Sequence, residues 1–227
     1  MSIRRLLRKL RLRFRRRPRT AEDLLPDYGE YLRLQRDEYL SHESEVERWA
    51  EGQRRFLALA FEALPRESRI LDCGCGDGVG LEALRRLGFR DPTGFDLSAE
   101  KGARARALGF RVEVGDMHDP GPLEGGLFDA ILCSHTLEHA HEPGKVLDTF
   151  RRALGPGGKL FVVLPYPDPG ERNELAHAAK YELGTDIDDD AASVKRFFTL
   201  RNWTIEASRR DSFREPEIWL SLAMGAP

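Results

Sequence analysis

The chain has 227 residues, 41% of them hydrophobic, enough for one full-sized core and too little for two comfortable domains. Its formal net charge of −2 averages two unlike parts: residues 1–20 carry ten Arg or Lys and no acid, leaving 26 basic against 38 acidic side chains, a net of −12, in the remainder. Three cysteines, Cys73, Cys75 and Cys133, do not make a disulfide framework, Cys73-Gly-Cys75 is too closely spaced for a zinc half-site, and no apolar run approaches the roughly 20 residues that span a bilayer.

Charges interrupt every apolar stretch of the N-terminus, so no secretory signal is expected there, and a reducing cytoplasm is the natural setting. Residues 1–20 form a distinct arm. Ile3, Leu6, Leu7, Leu10 and Phe14 recur at helical spacing among Arg and Lys, and Pro18 ends the pattern. Such a basic amphipathic helix suits an anionic membrane surface, with a peripheral position at the inner membrane face, or nucleic-acid phosphates. A solvated tail fits the same residues equally well. Residues 21–67 read as a helical cap. Tyr28 to Leu64 holds two helices, the second from about Glu43 to Leu64 with Val46, Trp49, Phe56, Leu57 and Ala60 partly buried, and Pro65 stops it.

From residue 68 the pattern turns to short apolar runs alternating with helical stretches. Strands are expected at Ser68–Asp72, Asp91–Asp96, Phe110–Val114, Phe128–Cys133 and Gly158–Leu164. Helices are expected at Gly78–Leu87, Ser98–Leu108, with Ser98 as N-cap, and Pro143–Leu154. Residues 165–190 break the alternation with a polar segment bearing Asp186, Asp188, Asp189 and Asp190, long enough to be a lid insertion. Trp203–Ser208 and Pro216–Met224 close the chain as an edge hairpin. The sum is an α/β, Rossmann-like domain over 68–227: a seven-stranded, mostly parallel sheet with helices on both faces, plus the N-terminal helices.

Ile70-Leu-Asp-Cys-Gly-Cys-Gly-Asp-Gly-Val-Gly80 carries the chemistry. A buried strand ends at Asp72, and Gly74, Gly76 and Gly78 let a ligand approach the backbone as the chain turns into a helix. An acid, Asp96, tips the next strand about twenty residues on. A dinucleotide site would place its third glycine at Val79, and Asp72 would repel a pyrophosphate. A cationic sulfonium ligand bearing an amino group would welcome that charge.

Five blocks, namely Asp72-x-Gly-x-Gly-x-Gly78, Gly94-Phe-Asp96-Leu-Ser98, Gly115-Asp116-Met117, Phe128-Asp-Ala-Ile-Leu-Cys133 and Leu154-Gly-Pro-Gly-Gly158, follow one another in this order. Together they resemble class I S-adenosylmethionine-dependent methyltransferases over roughly residues 68–165, of the type 11-like kind. The resemblance implies S-adenosyl-L-methionine as cofactor. Asp72 and the backbone of Gly74, Cys75, Gly76 and Gly78 would hold its methionine end. Asp96 would accept from both ribose hydroxyls, Leu97 would pack on the adenine, and Asp116 would bond the exocyclic amine, with Met117 offering its backbone amide. Ser134 and His135 would line the reacting centre.

Ser134-His-Thr-Leu-Glu-His-Ala-His141 follows the fourth strand, at the edge where open parallel sheets bind ligands. On a helix, His135, Glu138 and His139 would share one face. His135 or His139 is a candidate general base. The Glu138-His139 pair also resembles the metal-binding segment of small-RNA 2′-O-methyltransferases and ubiquinone-pathway O-methyltransferases, with His177 where those enzymes supply another ligand. A divalent metal would lower the pKa of an acceptor hydroxyl, and capping of the turn explains the same pair without one. Tyr166, just past the fifth strand, is the remaining catalytic candidate. The expected reaction is methyl transfer to an O or N atom of a small metabolite, sugar or lipid-like acceptor. An RNA 2′-O-methyltransferase with a metal at Glu138 and His139, and a cofactor-binding regulatory or scaffold protein, are the alternatives. Oligomeric state is not legible in the sequence.

Overall fold

The computed structural model describes residues 28–40, 46–119, 121–123, 125, 127–165, 191–214 and 216–225. The basic arm, the expected lid and, within it, Tyr166 and His177 lie outside them. Two helices come first, α1 (Tyr28–Leu40) and α2 (Val46–Ala60), followed by β1 (Ile70–Cys73), α3 (Val79–Arg86), β2 (Thr93–Asp96), α4 (Ala99–Ala107) and β3 (Arg111–Val114). Next come β4 (Phe128–Ser134), α5 (Pro143–Ala153), β5 (Leu154–Pro165), α6 (Ala192–Thr199), β6 (Trp203–Asp211) and β7 (Glu217–Met224).

All seven strands form one sheet in the order β3-β2-β1-β4-β5-β7-β6. β1 to β5 run parallel, and the terminal hairpin adds β7 antiparallel to β5 with β6 at the edge. The central strands are apolar on both faces because both faces are covered. On β4, Ile131 and Cys133 join Val146, Leu147 and Phe150 of α5 and Phe198 of α6 in one core layer. Ala130 and Leu132 point the other way, into a second layer with Phe56 and Leu57 of α2, Leu84 of α3 and Trp219 of β7. The period-two alternation of β4 therefore supplies both cores. Among the described residues, no helix is long and apolar enough to cross a membrane.

Local signals account for most boundaries. The Ser98 hydroxyl caps α4 by accepting the Lys101 N–H, and Pro143 opens α5, where a missing N–H costs nothing. Four elements depart from expectation. α2 ends at Ala60 and not Leu64, because the chain passes into turns ahead of Pro65. β5 starts at Leu154, earlier than Gly158, because Gly157 takes a φ of +75° and returns Leu154 to pair with Phe128 across a register shift. β6 runs on to Asp211, since an edge strand with an exposed face tolerates Arg209 and Arg210. Helix α6 was not expected; only eight residues long, it buries Val194, Phe197 and Phe198 as one face.

Candidate active site

The order of the sheet reverses between β2-β1 and β1-β4, which opens a crevice at the carboxyl ends of these strands. Each strand delivers one polar residue to that rim: Asp72 on β1, Asp96 on β2, Ser134 on β4 and Asp116 just past β3. Between β1 and α3 the chain turns through Gly74, Gly76 and Gly78 at φ of +80°, +52° and +94°, a region that side chains disfavour. The N–H groups of Gly74 and Cys75 donate to the Phe95 carbonyl at 2.7 and 3.2 Å, and this locks the turn to β2. A Cβ on Gly80 would overlap Asp72 Oδ2, so the first turn of α3 is built around that carboxyl.

The Asp72 carboxyl is buried, and its pKa is pushed up to about 7, first by desolvation and then by the Asp96 charge. A cation placed there relieves both effects. Asp96 accepts the Gly76 N–H on Oδ2 and the Ser98 N–H on Oδ1, each at 2.8 Å. Burial raises its pKa, against these two bonds. One lone pair per oxygen is left for a vicinal diol. Leu97, partly exposed, follows directly.

At the far end, Asp116 Oδ1 accepts both the backbone N–H of His118, at 2.9 Å, and its ring Nδ1, at 2.7 Å. The Tyr28 hydroxyl of α1 donates to Oδ2. Burial opposes ionisation of Asp116, but these bonds outweigh it and hold the carboxyl at about 2. The Met117 side chain packs against the larger core cluster, leaving its backbone at the rim.

Beyond β4 the chain makes a short 3-10 turn, Leu137–His139, in place of an α-helix, and His135 takes a φ of +50°. The three expected residues still meet. Glu138, 1% exposed, puts Oε1 3.7 Å from His135 Nδ1 and 3.8 Å from His139 Nε2. His135 Nε2 donates to Glu217 Oε2 at 2.9 Å. Glu217 also accepts from Arg214 Nε and Nη2, at 3.2 and 3.0 Å, and from the Trp219 indole at 2.6 Å. Trp49 of α2 meets the His135 ring edge-on at 4.6 Å, and the Arg214 guanidinium lies over the Trp49 ring at 4.6 Å. Ser134 donates to Gln53 Oε1 at 2.9 Å. The Arg214 stem crosses α2 at Gly52, where a Cβ would overlap it.

Sequence reasoning located the rim acids, Ser134 and the His135–His139 cluster. It missed Tyr28, Trp49, Gln53, His118, Arg214 and Glu217. Only the helix-interior Gly52 hinted that a long side chain crosses α2. Among the described residues, no group of three or more His, Cys, Asp or Glu side chains is placed to hold a metal ion. Of the three residues expected as ligands, Glu138 and His139 lie side by side, Oε1 3.8 Å from Nε2, and His177 lies outside the described residues.

An open α/β sheet with a glycine-rich turn after β1 and a buried carboxylate at the tip of β2 defines a domain of the Rossmann-like class. The methyltransferase domain model matches residues 39–211, more than half of the chain. The chain belongs to that family and is an S-adenosylmethionine-dependent methyltransferase. A ubiquinone biosynthesis O-methyltransferase of Xanthomonas oryzae pv. oryzae is 39% identical over 101 residues, which is 42% of this chain and 42% of that protein. The chain thus matches less than half the length of this curated relative. The 1,6-didemethyltoxoflavin-N1-methyltransferase of Burkholderia thailandensis, crystallised with 1,6-didemethyltoxoflavin and S-adenosylhomocysteine, superposes with a TM-score of 0.66 at 20% identity, over 87% of this chain and 90% of that one. A Pyrococcus horikoshii OT3 protein superposes with a TM-score of 0.62 at 18% identity, over 83% and 98%. The last two likenesses establish the fold.

Proposed function

We propose that this enzyme transfers the methyl group of S-adenosylmethionine to an oxygen of a small-molecule acceptor: a metabolite, sugar or lipid-like hydroxyl compound. When bound, the donor supplies a sulfonium methyl that the acceptor oxygen attacks in line. Asp72 would hold the amino group and cationic sulfur, Asp96 both ribose hydroxyls, and Asp116 the adenine amine. Leu97 and the Met117 backbone would flank the base, and the turn from Gly74 through Cys75 and Gly76 to Gly78 would carry the methionine moiety.

The observation that carries the acceptor half is the His135–Glu217 pair at the end of β4. With Nε2 committed to a buried carboxylate, Nδ1 is the nitrogen that receives the acceptor's hydroxyl proton. Glu138 Oε1 lies 3.7 Å from His135 Nδ1 itself and 3.8 Å from His139 Nε2, and offsets the positive charge that forms. His139 is the second candidate base, and Tyr166 remains a candidate outside the described residues. Alignment and exclusion of water do the rest. The named activity of the Xanthomonas relative supports oxygen as the target over the shared stretch.

The test is S-adenosylhomocysteine formation against a panel of hydroxylated metabolites, sugars and quinol-like lipids, with RNA included as a separate arm. Acceptor-dependent turnover on a small hydroxyl compound is expected. His135→Gln should lower kcat by about 100-fold or more while donor affinity changes little. Methylation of RNA alone, or an undiminished kcat in His135→Gln, contradicts the proposal.

A further inference from the structure

Asp116 is more elaborately held than a simple acceptor for an adenine amine needs to be. The His118 ring, 5% exposed, donates from Nδ1 to Asp116 Oδ1 at 2.7 Å and accepts the Glu142 backbone N–H on Nε2 at 3.2 Å. A ring nitrogen that accepts carries no proton, so the tautomer is set and Nδ1–H points at the carboxylate. The His118 backbone N–H takes the other lone pair of Oδ1. Tyr28, from a helix outside the sheet, takes one lone pair of Oδ2. Its ring lies edge-on to His118 at 5.4 Å and is stacked with Tyr31 at 5.5 Å. The Tyr31 hydroxyl in turn donates to the His139 carbonyl. A carboxylate has about four lone-pair sites, and three are spoken for.

We propose that Tyr28 and His118 are donor-specificity residues: with Asp116 they leave a single acceptor position, on Oδ2, and so select a purine that presents an amine over one that presents a carbonyl. The inference rests on the reading of Asp116 as the adenine acceptor. A 6-oxo purine would set its carbonyl oxygen against Oδ2 with no proton between them. The carboxylate cannot turn away, because both oxygens are bonded. Tyr28 cannot redirect its hydroxyl to the carbonyl without leaving an anion under-solvated. Removing the Tyr28 hydroxyl frees Oδ2 to rotate or to take up water. The amine then binds less well, and the carbonyl is repelled less.

The experiment is calorimetric titration of the full chain with S-adenosylhomocysteine and with S-inosylhomocysteine, for wild type, Tyr28→Phe, His118→Phe and Asp116→Asn. Wild type should prefer the adenosyl compound by about a hundredfold or more. Tyr28→Phe, which deletes only one hydroxyl and keeps the ring stack, should weaken adenosyl binding by about tenfold and cut the preference by at least that factor, as expected for a hydrogen bond to a charged group. His118→Phe should move in the same direction. An unchanged preference in Tyr28→Phe, or tighter adenosyl binding because the hydroxyl had competed with the amine, overturns the proposal. If Asp116→Asn retains the wild-type preference, the adenine assignment itself fails. If Asp116→Asn loses it while Tyr28→Phe retains it, the assignment stands and the clamp alone fails.

Discussion

Asp72→Asn should make the ligand-free protein more stable while abolishing its use of the donor. In the fold this carboxyl sits at about 7, against an ordinary value of 3.8, mainly through burial. A folded value above the unfolded one stabilises the fold only at low pH, and that contribution is lost as pH rises toward about 7. Above pH 7 the ionised Asp72 costs up to about 4 kcal/mol, at 1.36 kcal/mol per pH unit; at pH 5 the same reckoning leaves a cost of about 1.6 kcal/mol. Asparagine carries no charge and has nearly the same shape. The stability advantage of Asp72→Asn over wild type should therefore grow by about 2–3 kcal/mol between pH 5.0 and pH 8.5. Urea unfolding of both proteins at the two pH values measures it directly, without donor present. With saturating S-adenosylmethionine the order should invert at pH 8.5, because only wild type gains the linked binding energy. An advantage that is the same at both pH values would falsify the view that burial holds this carboxyl ready for a cation.

Gly80→Ala follows from the same carboxyl. Helix propensity alone predicts a gain of about 1 kcal/mol in α3, but the new Cβ would overlap Asp72 Oδ2, so a loss of roughly 1–3 kcal/mol is expected instead, with weaker donor binding read by calorimetry. Asp96→Ala should eliminate detectable S-adenosylhomocysteine binding and cost about 1 kcal/mol of stability through the freed N–H groups of Gly76 and Ser98; retained micromolar binding would refute the ribose role. Glu217 is held below the usual carboxylate range: burial works against its charge, but the His135 hydrogen bond and the Arg214 charge prevail. Its stabilisation is present above about pH 4.5 and lost as pH falls through the depressed value. Glu217→Gln should thus cost roughly 3–5 kcal/mol at pH 7, by chemical denaturation, with the deficit shrinking in acid. A deficit independent of pH would place the pair's contribution in packing.

The donor half of the site was legible because it is local. Asp72, Asp96 and Asp116 each sit at or just past the end of a short strand, and the glycines that bend the chain are neighbours in sequence. The strand order then sets these ends side by side, which is why a handful of short blocks suffices. The acceptor half, and the Tyr28 contact that holds Asp116 in the donor half, are assembled from afar. Glu217 reaches His135 across 82 residues, Gln53 reaches Ser134 across 81, and Tyr28 reaches Asp116 across 88. A Glu opening a strand and a Tyr opening a helix carry no local mark of such partners. The His135–Glu138–His139 grouping was anticipated for the wrong reason: a helical face was expected, whereas a tight turn and a left-handed His135 bring the three together. Helix α6 escaped notice because its apolar face is short and follows the acidic run that dominates the preceding sequence.

Methyl transfer by this chain depends first on a donor site at the carboxyl edge of β1, β2 and β3. Calorimetric titration of the purified full chain with S-adenosylhomocysteine, run beside Asp96→Ala, tests it most directly. One site per chain, lost in Asp96→Ala, is the predicted result; a flat titration of the wild-type protein, or equal binding by the variant, would contradict it.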